Sequence, residues 1–162
     1  MMFGYPGAGK TTTAEIIADL TGAVHLSSDK VRLELFPEPT FSQSEHDQLY
    51  AELDRRTEAL LREGRDVIYD ANLNRREHRQ EKYEICRRAH ATPQLIWVQT
   101  EREVARQRAL HESRSPLWPK HEHPGQMFDR IAGIIEPPAA SEPHITINGQ
   151  AITPESVSSR LA

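Results

Sequence analysis

The sequence predicts an α/β fold in three layers: a parallel sheet of about five strands, helices on both faces, and a lid segment over about residues 101–125. Three observations predict it. Short apolar runs alternate with longer helix-periodic stretches along the whole chain. Glycine, proline and capping residues punctuate the junctions. A glycine-rich turn joins the first apolar run directly to a helix. A chain of 162 residues fits one domain over 1–162.

Met1-Met2-Phe3 is the first strand, and three apolar residues make it very short. Thr12 to Ala18 begins the first helix. Ala23-Val24-His25-Leu26-Ser27 reads as the second strand, with a helix starting near Asp29. Pro37-Glu38-Pro39 breaks the chain into a loop. Ser42 with Glu45 three residues on is a capping box for a long helix. Leu49, Leu53 and Leu60 fall at helical spacing on it, with Leu61 beside them, and Gly64 closes it. Asp66 to Tyr69 is the third strand, ending at Asp70. Asn74 and Glu77 form the cap signature of a helix of about 15 residues reaching Ala91. Leu95-Ile96-Trp97-Val98 is a buried-type fourth strand. Thr100 and Glu103 give a third capping box, opening an Arg-rich helix. Ser113 to Gly125 holds three prolines and two histidines and reads as a long loop of the lid kind. A helix follows to about Glu136, stopped by Pro137-Pro138. His144 to Asn148 alternates as the last strand, and Thr153-Pro154 caps a terminal helix.

Composition excludes several classes. A net charge of −4 gives no global attraction to nucleic acid or anionic membrane. The single Cys86 excludes an internal disulfide framework and suits a reducing cytosol. No apolar run approaches the roughly 20 residues of a membrane span. Gly4 to Lys10 interrupts the only apolar start, so no signal peptide is expected. The expected location is the cytoplasm.

Gly4-Tyr5-Pro6-Gly7-Ala8-Gly9-Lys10-Thr11 meets every fixed position of the phosphate-loop pattern G-x-x-x-x-G-K-[ST]. Its glycines let successive N–H groups point inward at one anion. Lys10 can reach the β- and γ-phosphates as a point charge, and the Thr11 hydroxyl is placed to ligate Mg²⁺. Thr12 continues into the helix, whose positive N-terminus faces the phosphates. The implied cofactors are ATP and Mg²⁺, bound through Gly4 to Thr12.

Ligands of open α/β sheets sit at the carboxyl ends of strands. Two such ends carry acids. Asp29 follows the second strand, and Asp70 ends the third. Both should face the same crevice as Lys10. Asp29 alone could be a helix cap. Arg32, three residues on, shares its helical face, so the pair can take a proton from an acceptor hydroxyl and place positive charge beside it. Asp70 is either a turn residue or an acid of the magnesium shell or acceptor site. Asn72 could add hydrogen bonds to the acceptor.

Gly4 to Thr11, Ser28-Asp29-Lys30-Val31-Arg32 and Val67 to Asn74 together resemble the three signature blocks of small P-loop kinases of the polynucleotide 5′-hydroxyl kinase type. Gluconate-kinase-like and zeta-toxin-like kinases are relatives of that group. The Asp-x-Asn-Leu-Asn stretch is especially similar to the polynucleotide kinase version. The resemblance implies a general-base role for Asp29, an acceptor-side contact for Arg32, and a lid arginine on the transferring phosphate. Arg108 is the first choice for that arginine and Arg114 the second. The chain departs from the family here: a second arginine one turn beyond Arg108 is replaced by Glu112, with His111 beside it.

The other lid arginines, Arg102 and Arg106, read as a solvated face paired with Glu101, Glu103 and Glu112. Arg75, Arg76, Arg79, Lys82, Arg87 and Arg88 alternate with acids and read as a solvated, salt-bridged face. His121-Glu122-His123 reads as mobile polar loop, and Cys86 as a half-buried structural thiol. Trp118, in the lid, could stack on a base. The expected activity is transfer of the γ-phosphate of ATP to a hydroxyl on a small metabolite, a nucleoside or nucleotide, or a 5′-hydroxyl nucleic-acid end. An ATP-hydrolysing P-loop ATPase and a nucleotide-binding module without catalysis are the alternatives.

Overall fold

A computed structural model of the chain describes residues 1–112 and 122–161. Its elements in order are β1 (Met2–Phe3), α1 (Lys10–Thr21), β2 (Val24–Ser27), α2 (Ser28–Leu35), α3 (Gln43–Arg62) and β3 (Val67–Asp70). Then come α4 (Arg76–Arg88), β4 (Leu95–Gln99), α5 (Arg102–Glu112), α6 (Pro124–Gly133), β5 (His144–Asn148) and α7 (Pro154–Leu161). No helix among the described residues is long and apolar enough to cross a membrane.

Every strand pair is parallel. The expected single sheet of about five strands is corrected: the hydrogen-bonded strands form a three-stranded piece, β1-β4-β5, and a two-stranded piece, β2-β3. The reason is the length of β1. Its two residues pair with Ile96 and Trp97 of β4. On its other side it touches β3 without building a ladder. The two pieces still share a core, because Met2 of β1 and Ile68 of β3 pack in one cluster with Ile96, Val98 and Ile147.

Strand alternation sends side chains to two faces. Met2, Ile68, Ile96, Val98 and Ile147 meet Ala14 and Ile17 of α1 and Val157 of α7. On the other side Leu26 and Tyr69 meet Leu49 and Leu53 of α3 and Val31 of α2. Leu49 and Leu53 are 1% and 0% exposed, worth about 1.5–3 kcal/mol each by area. Gly64, at φ +75°, ends α3 as expected. The last strand and the Thr153 cap of α7 also fall where the sequence puts them, with the Thr153 hydroxyl accepting from the Ser156 amide at 3.1 Å.

Two cap assignments change, and the Ser42 cap holds with its Glu45 partner turned to another use. Ser42 does accept from the Glu45 amide at 3.3 Å, but the Glu45 carboxylate reaches past Ser42 to the amides of Thr40 and Phe41. Asn74 does not cap α4, which starts later, at Arg76. The Arg76 amide is satisfied by the Glu136 carboxylate at 2.7 Å, far away in sequence. Thr100 does not hold the cap position of α5: the first helical carbonyl, accepting from the Ala105 amide at 2.9 Å, is that of Glu101, and the Thr100 hydroxyl donates to the Ala8 carbonyl. Helix α6 stops at Gly133 rather than near Glu136.

The basic helix α4 is only partly solvated. Arg79 is fully buried and makes a bidentate pair with Glu142 at 2.7 and 2.9 Å, its guanidinium 4.8 Å from the Phe3 ring centre. Lys82 is buried too and donates to Asp54 at 2.6 Å. Arg87 and Arg88 keep exposed pairs with Glu84 and Glu58. Glu122 pairs with Arg130 at 2.8 Å and His123 caps α6, so both have structural partners. His121, Arg114 and Trp118 lie outside the described residues.

Candidate active site

The loop from Gly4 to Gly9 links β1 to α1 and curls because three of its residues adopt left-handed backbone. Gly4, Gly7 and Gly9 have φ of +146°, +71° and +99°. At Gly7 space forbids a side chain as well, since a Cβ would overlap the Ala105 carbonyl and the Ala109 amide of α5. Helix α5 therefore rests on the loop, with Ala105, Ala109 and Phe128 fully buried against Tyr5. The Thr100 hydroxyl, at the end of β4, donates to the Ala8 carbonyl at 2.9 Å.

Lys10 Nζ donates to the carbonyls of Gly4 at 3.0 Å and Tyr5 at 2.9 Å, which folds the side chain over the loop. Thr11 and Thr12 stand exposed in the first turn of α1. Thr13 is turned inward and donates to the Gly9 carbonyl at 2.9 Å. The first turn of α1 carries no acidic residue, so its positive end is left for an anion.

The two acids arrive through strand register. Ser27 of β2 pairs with Asp70 of β3, so the strands end level, and α2 starts at once with Ser28 and Asp29. Asp29 stays open to solvent in the crevice. Partial desolvation raises its pKa above the usual carboxylate value, and the charge of Asp70 raises it further. Arg32 and Lys10 pull it down. Asp29, Asp70, Arg32 and Lys10 are thus within electrostatic reach of one another. Asp70 is 4% exposed, and its Oδ2 lies 3.0 Å from Nε2 of His25.

Arg32 is 8% exposed. Its guanidinium sits 5.0 Å from the centre of the Phe41 ring. The Glu45 carboxylate is 3.8 Å from Nη1, too far for a hydrogen bond, and Nη1 makes none. Tyr50 donates to the Asn72 carbonyl at 3.3 Å and stacks with His46 at 4.5 Å. Burial pushes the Tyr50 hydroxyl up to about 12, and Arg32 and Asp29 both act on it. Asn72 itself is exposed, beside this wall.

Residues 1–120 match the AAA_33 family, described as an AAA domain. The chain belongs to the AAA_33 family. No curated protein sequence matches it. The solved structures that share the fold of this AAA_33 chain include these three. One, titled a putative kinase from Chloroflexus aurantiacus, has a TM-score of 0.80 at 18% identity, over 99% of this chain and 94% of its own. Another, titled a gluconokinase from Sinorhizobium meliloti, has a TM-score of 0.69 at 16% identity, over 99% and 87%. A third, titled a sugar kinase from a Janibacter species in unliganded form, has a TM-score of 0.67 at 18% identity, over 99% and 89%.

In the AAA_33 chain the arginines of α5 sit differently from expectation. Arg102 and Arg106 pair with Asp129 of α6, at 3.1 and 3.7 Å, rather than with acids of their own helix. Arg108 Nη1 donates to the Gly149 carbonyl at 2.7 Å, on the flank of the phosphate loop. Sequence reading missed His25, Phe41, Glu45, His46 and Tyr50 as neighbours of the site. The Glu45 carboxylate was visible only as a helix cap. No group of three or more His, Cys, Asp or Glu side chains among the described residues could hold a metal.

Proposed function

We propose that this AAA_33 protein is a P-loop kinase that transfers the γ-phosphate of ATP to a hydroxyl acceptor. One observation carries the reading: an ionisable carboxylate with a raised pKa, Asp29, lies beside two cations and a second acid at the mouth of a complete phosphate loop. The three fold neighbours, described as a putative kinase, a gluconokinase and a sugar kinase, support it.

The loop from Gly4 to Gly9 and the first turn of α1, with Thr11 and Thr12, would cradle the nucleotide phosphates. Thr11 would hold Mg²⁺, with Asp70 as the nearby acid. Bound Mg–ATP supplies the transferable group and offsets part of its charge. Lys10 would exchange its contacts with the loop carbonyls of Gly4 and Tyr5 for charge-assisted bonds to phosphate oxygens. Asp29 accepts the acceptor's proton, and a pKa raised toward neutrality suits a general base. Desolvation and, after it, the charge of Asp70, fixed by His25, raise that pKa. Arg32 and Asn72 orient the acceptor. Arg108, released from Gly149, stabilises charge on the transferring group. Arg114 is the second candidate for that role. The cytoplasm is the proposed location, on the lone thiol and the ATP requirement.

The test is ADP release from Mg–ATP, first alone and then with polyols, sugar acids, nucleosides and 5′-hydroxyl oligonucleotides. Stimulation by one class, lost in Lys10→Ala and in Asp29→Asn, is the expected result. Steady turnover indifferent to every acceptor would replace the kinase by an ATPase. Nucleotide binding without turnover would leave a binding module.

A further inference from the structure

The stretch from Ala71 to Arg75 joins β3 to α4 with neither helix nor strand of its own. Its backbone is nonetheless bonded residue by residue. Three successive carbonyls each take a donor from a different part of the fold. The Asn72 carbonyl accepts from the Tyr50 hydroxyl of α3 at 3.3 Å. The Leu73 carbonyl accepts from Arg79 Nη1 of α4 at 3.2 Å, and the Asn74 carbonyl from the Glu136 amide at 2.8 Å. Irregular backbone accounted for in this way is held in one shape. Leu73 and Asn74 are buried, at 1% and 8% exposure, while Asn72 ahead of them stays exposed.

The contact from Glu136 is double. Its amide holds the Asn74 carbonyl, and its carboxylate accepts at 2.7 Å from the Arg76 amide, the first N–H of α4. A carboxylate there also meets the positive end of that helix. Glu136 stands three residues beyond the end of α6. Helix α6 packs on α5 through Phe128 against Ala105 and Ala109, and its Asp129 pairs with Arg102 and Arg106. Helix α5 in turn lies close against Gly7 of the phosphate loop. A continuous run of contacts therefore joins the phosphate loop to the Asn72–Asn74 backbone. We propose that Glu136 is a positioning residue, coupling the phosphate loop through α5 and α6 to that backbone, so that a bound nucleotide fixes the stretch carrying Asn72. By reciprocity, an acceptor seated on the stretch would tighten nucleotide by the same factor. The proposal rests on the kinase reading, which makes Asn72 an acceptor contact.

The experiment is amide hydrogen exchange on the full chain, with and without the non-hydrolysable ATP analogue Mg–AMPPNP, read over residues 4–10 and 71–77. In the wild type the analogue should slow exchange over 71–77 on the order of tenfold, an ordinary size for coupling between sites. Glu136→Ala should lose that slowing while residues 4–10 stay protected. Glu136→Gln keeps an oxygen for the Arg76 amide and should restore it. Arg76→Pro deletes the same bond from the other side and guards against a folding defect in the alanine variant. Proline suits the first helical position, and Arg75 ahead of it is already extended. A purely structural Glu136 would instead raise exchange equally with and without the analogue. That result, or slowing that survives both Glu136→Ala and Arg76→Pro, overturns the proposal and leaves the kinase standing. Protection of 4–10 with none over 71–77 in the wild type does the same. No protection at 4–10 removes the kinase reading and the proposal with it. Coupling through Glu136 in a protein that phosphorylates no acceptor supports the tie and removes the kinase reading.

Discussion

His25 Nε2 lies 3.0 Å from Oδ2 of Asp70, joining two neighbouring parallel strands beneath the candidate site. Both side chains are more than nine-tenths buried, at 8% and 5% exposure. The histidine therefore fixes which way the Asp70 carboxylate points. Asp70 in turn acts on Asp29, two residues past the end of the adjacent strand. The buried pair thus adds to the desolvation that raises the pKa of the exposed acid.

Asp70→Asn is expected to move the acid limb of the kcat/KM profile to lower pH. Asp29 must be ionised to accept a proton. Its pKa is raised first by desolvation and then by Asp70, so removing the second charge lowers it. The position of the limb reports this, whatever happens to the plateau. A limb that stays in place or moves upward would contradict the arrangement.

Asp29→Asn is expected to abolish transfer while raising thermal stability at neutral pH. A folded-state pKa above the unfolded value means that folding disfavours the ionised form. The penalty is absent below the unfolded pKa and grows as pH rises through the folded one. The neutral isostere removes it. Melting temperatures of both proteins should converge in acid and separate as pH rises; an unchanged gap across pH would count against it.

The phosphate loop was legible because its spacing is fixed along the chain and each residue acts near its neighbours. The alternation of strands and helices was legible for the same reason. Thr100 and Asn74 were misread because a cap signature is local, and tertiary partners overrode it. Thr100 instead bonds the Ala8 carbonyl, and the Glu136 carboxylate reaches the first amide of α4. Nothing in a mixed-charge helix distinguishes Arg79, fully buried, from exposed Arg87; the difference is set by Glu142, 63 residues away. The acceptor wall of Phe41, Glu45 and Tyr50 was hidden because it needs α3 to fold beside α2. The sheet was overcounted because two residues of β1 cannot ladder on both sides.

Gly7→Ala should weaken nucleotide binding. The backbone there is left-handed, and a methyl group would press on α5 at the Ala105 carbonyl and the Ala109 amide. Strain of this kind costs on the order of 1–3 kcal/mol. Either the loop opens or α5 lifts from it, and both spoil the cradle. A fluorescent nucleotide titration should show at least a tenfold weaker affinity, with melting temperature lowered modestly. Wild-type affinity would mean that the loop does not need its contact with α5.

Glu142→Ala should be among the most destabilising single changes in the chain, although Glu142 lies outside the candidate site. It accepts two hydrogen bonds from Arg79, at 2.7 and 2.9 Å, and one from the Tyr83 hydroxyl at 2.8 Å. Removing it leaves a fully buried guanidinium with only the Leu73 carbonyl, at 3.2 Å, and the Phe3 ring. Breaking a buried pair from one side costs about 3–5 kcal/mol. Replacing both members, as Arg79→Met with Glu142→Leu, should recover most of that loss, because no charge is left stranded. The pH dependence has a defined sign. Hydrogen bonds from Arg79 hold the Glu142 carboxyl below its usual value. Its contribution is therefore complete above the unfolded carboxylate pKa and is lost as pH falls through the lowered folded one. Urea unfolding of wild type and Glu142→Gln should give stability differences that shrink across that acid window. A difference that persists unchanged into acid would show that the pair acts through packing alone.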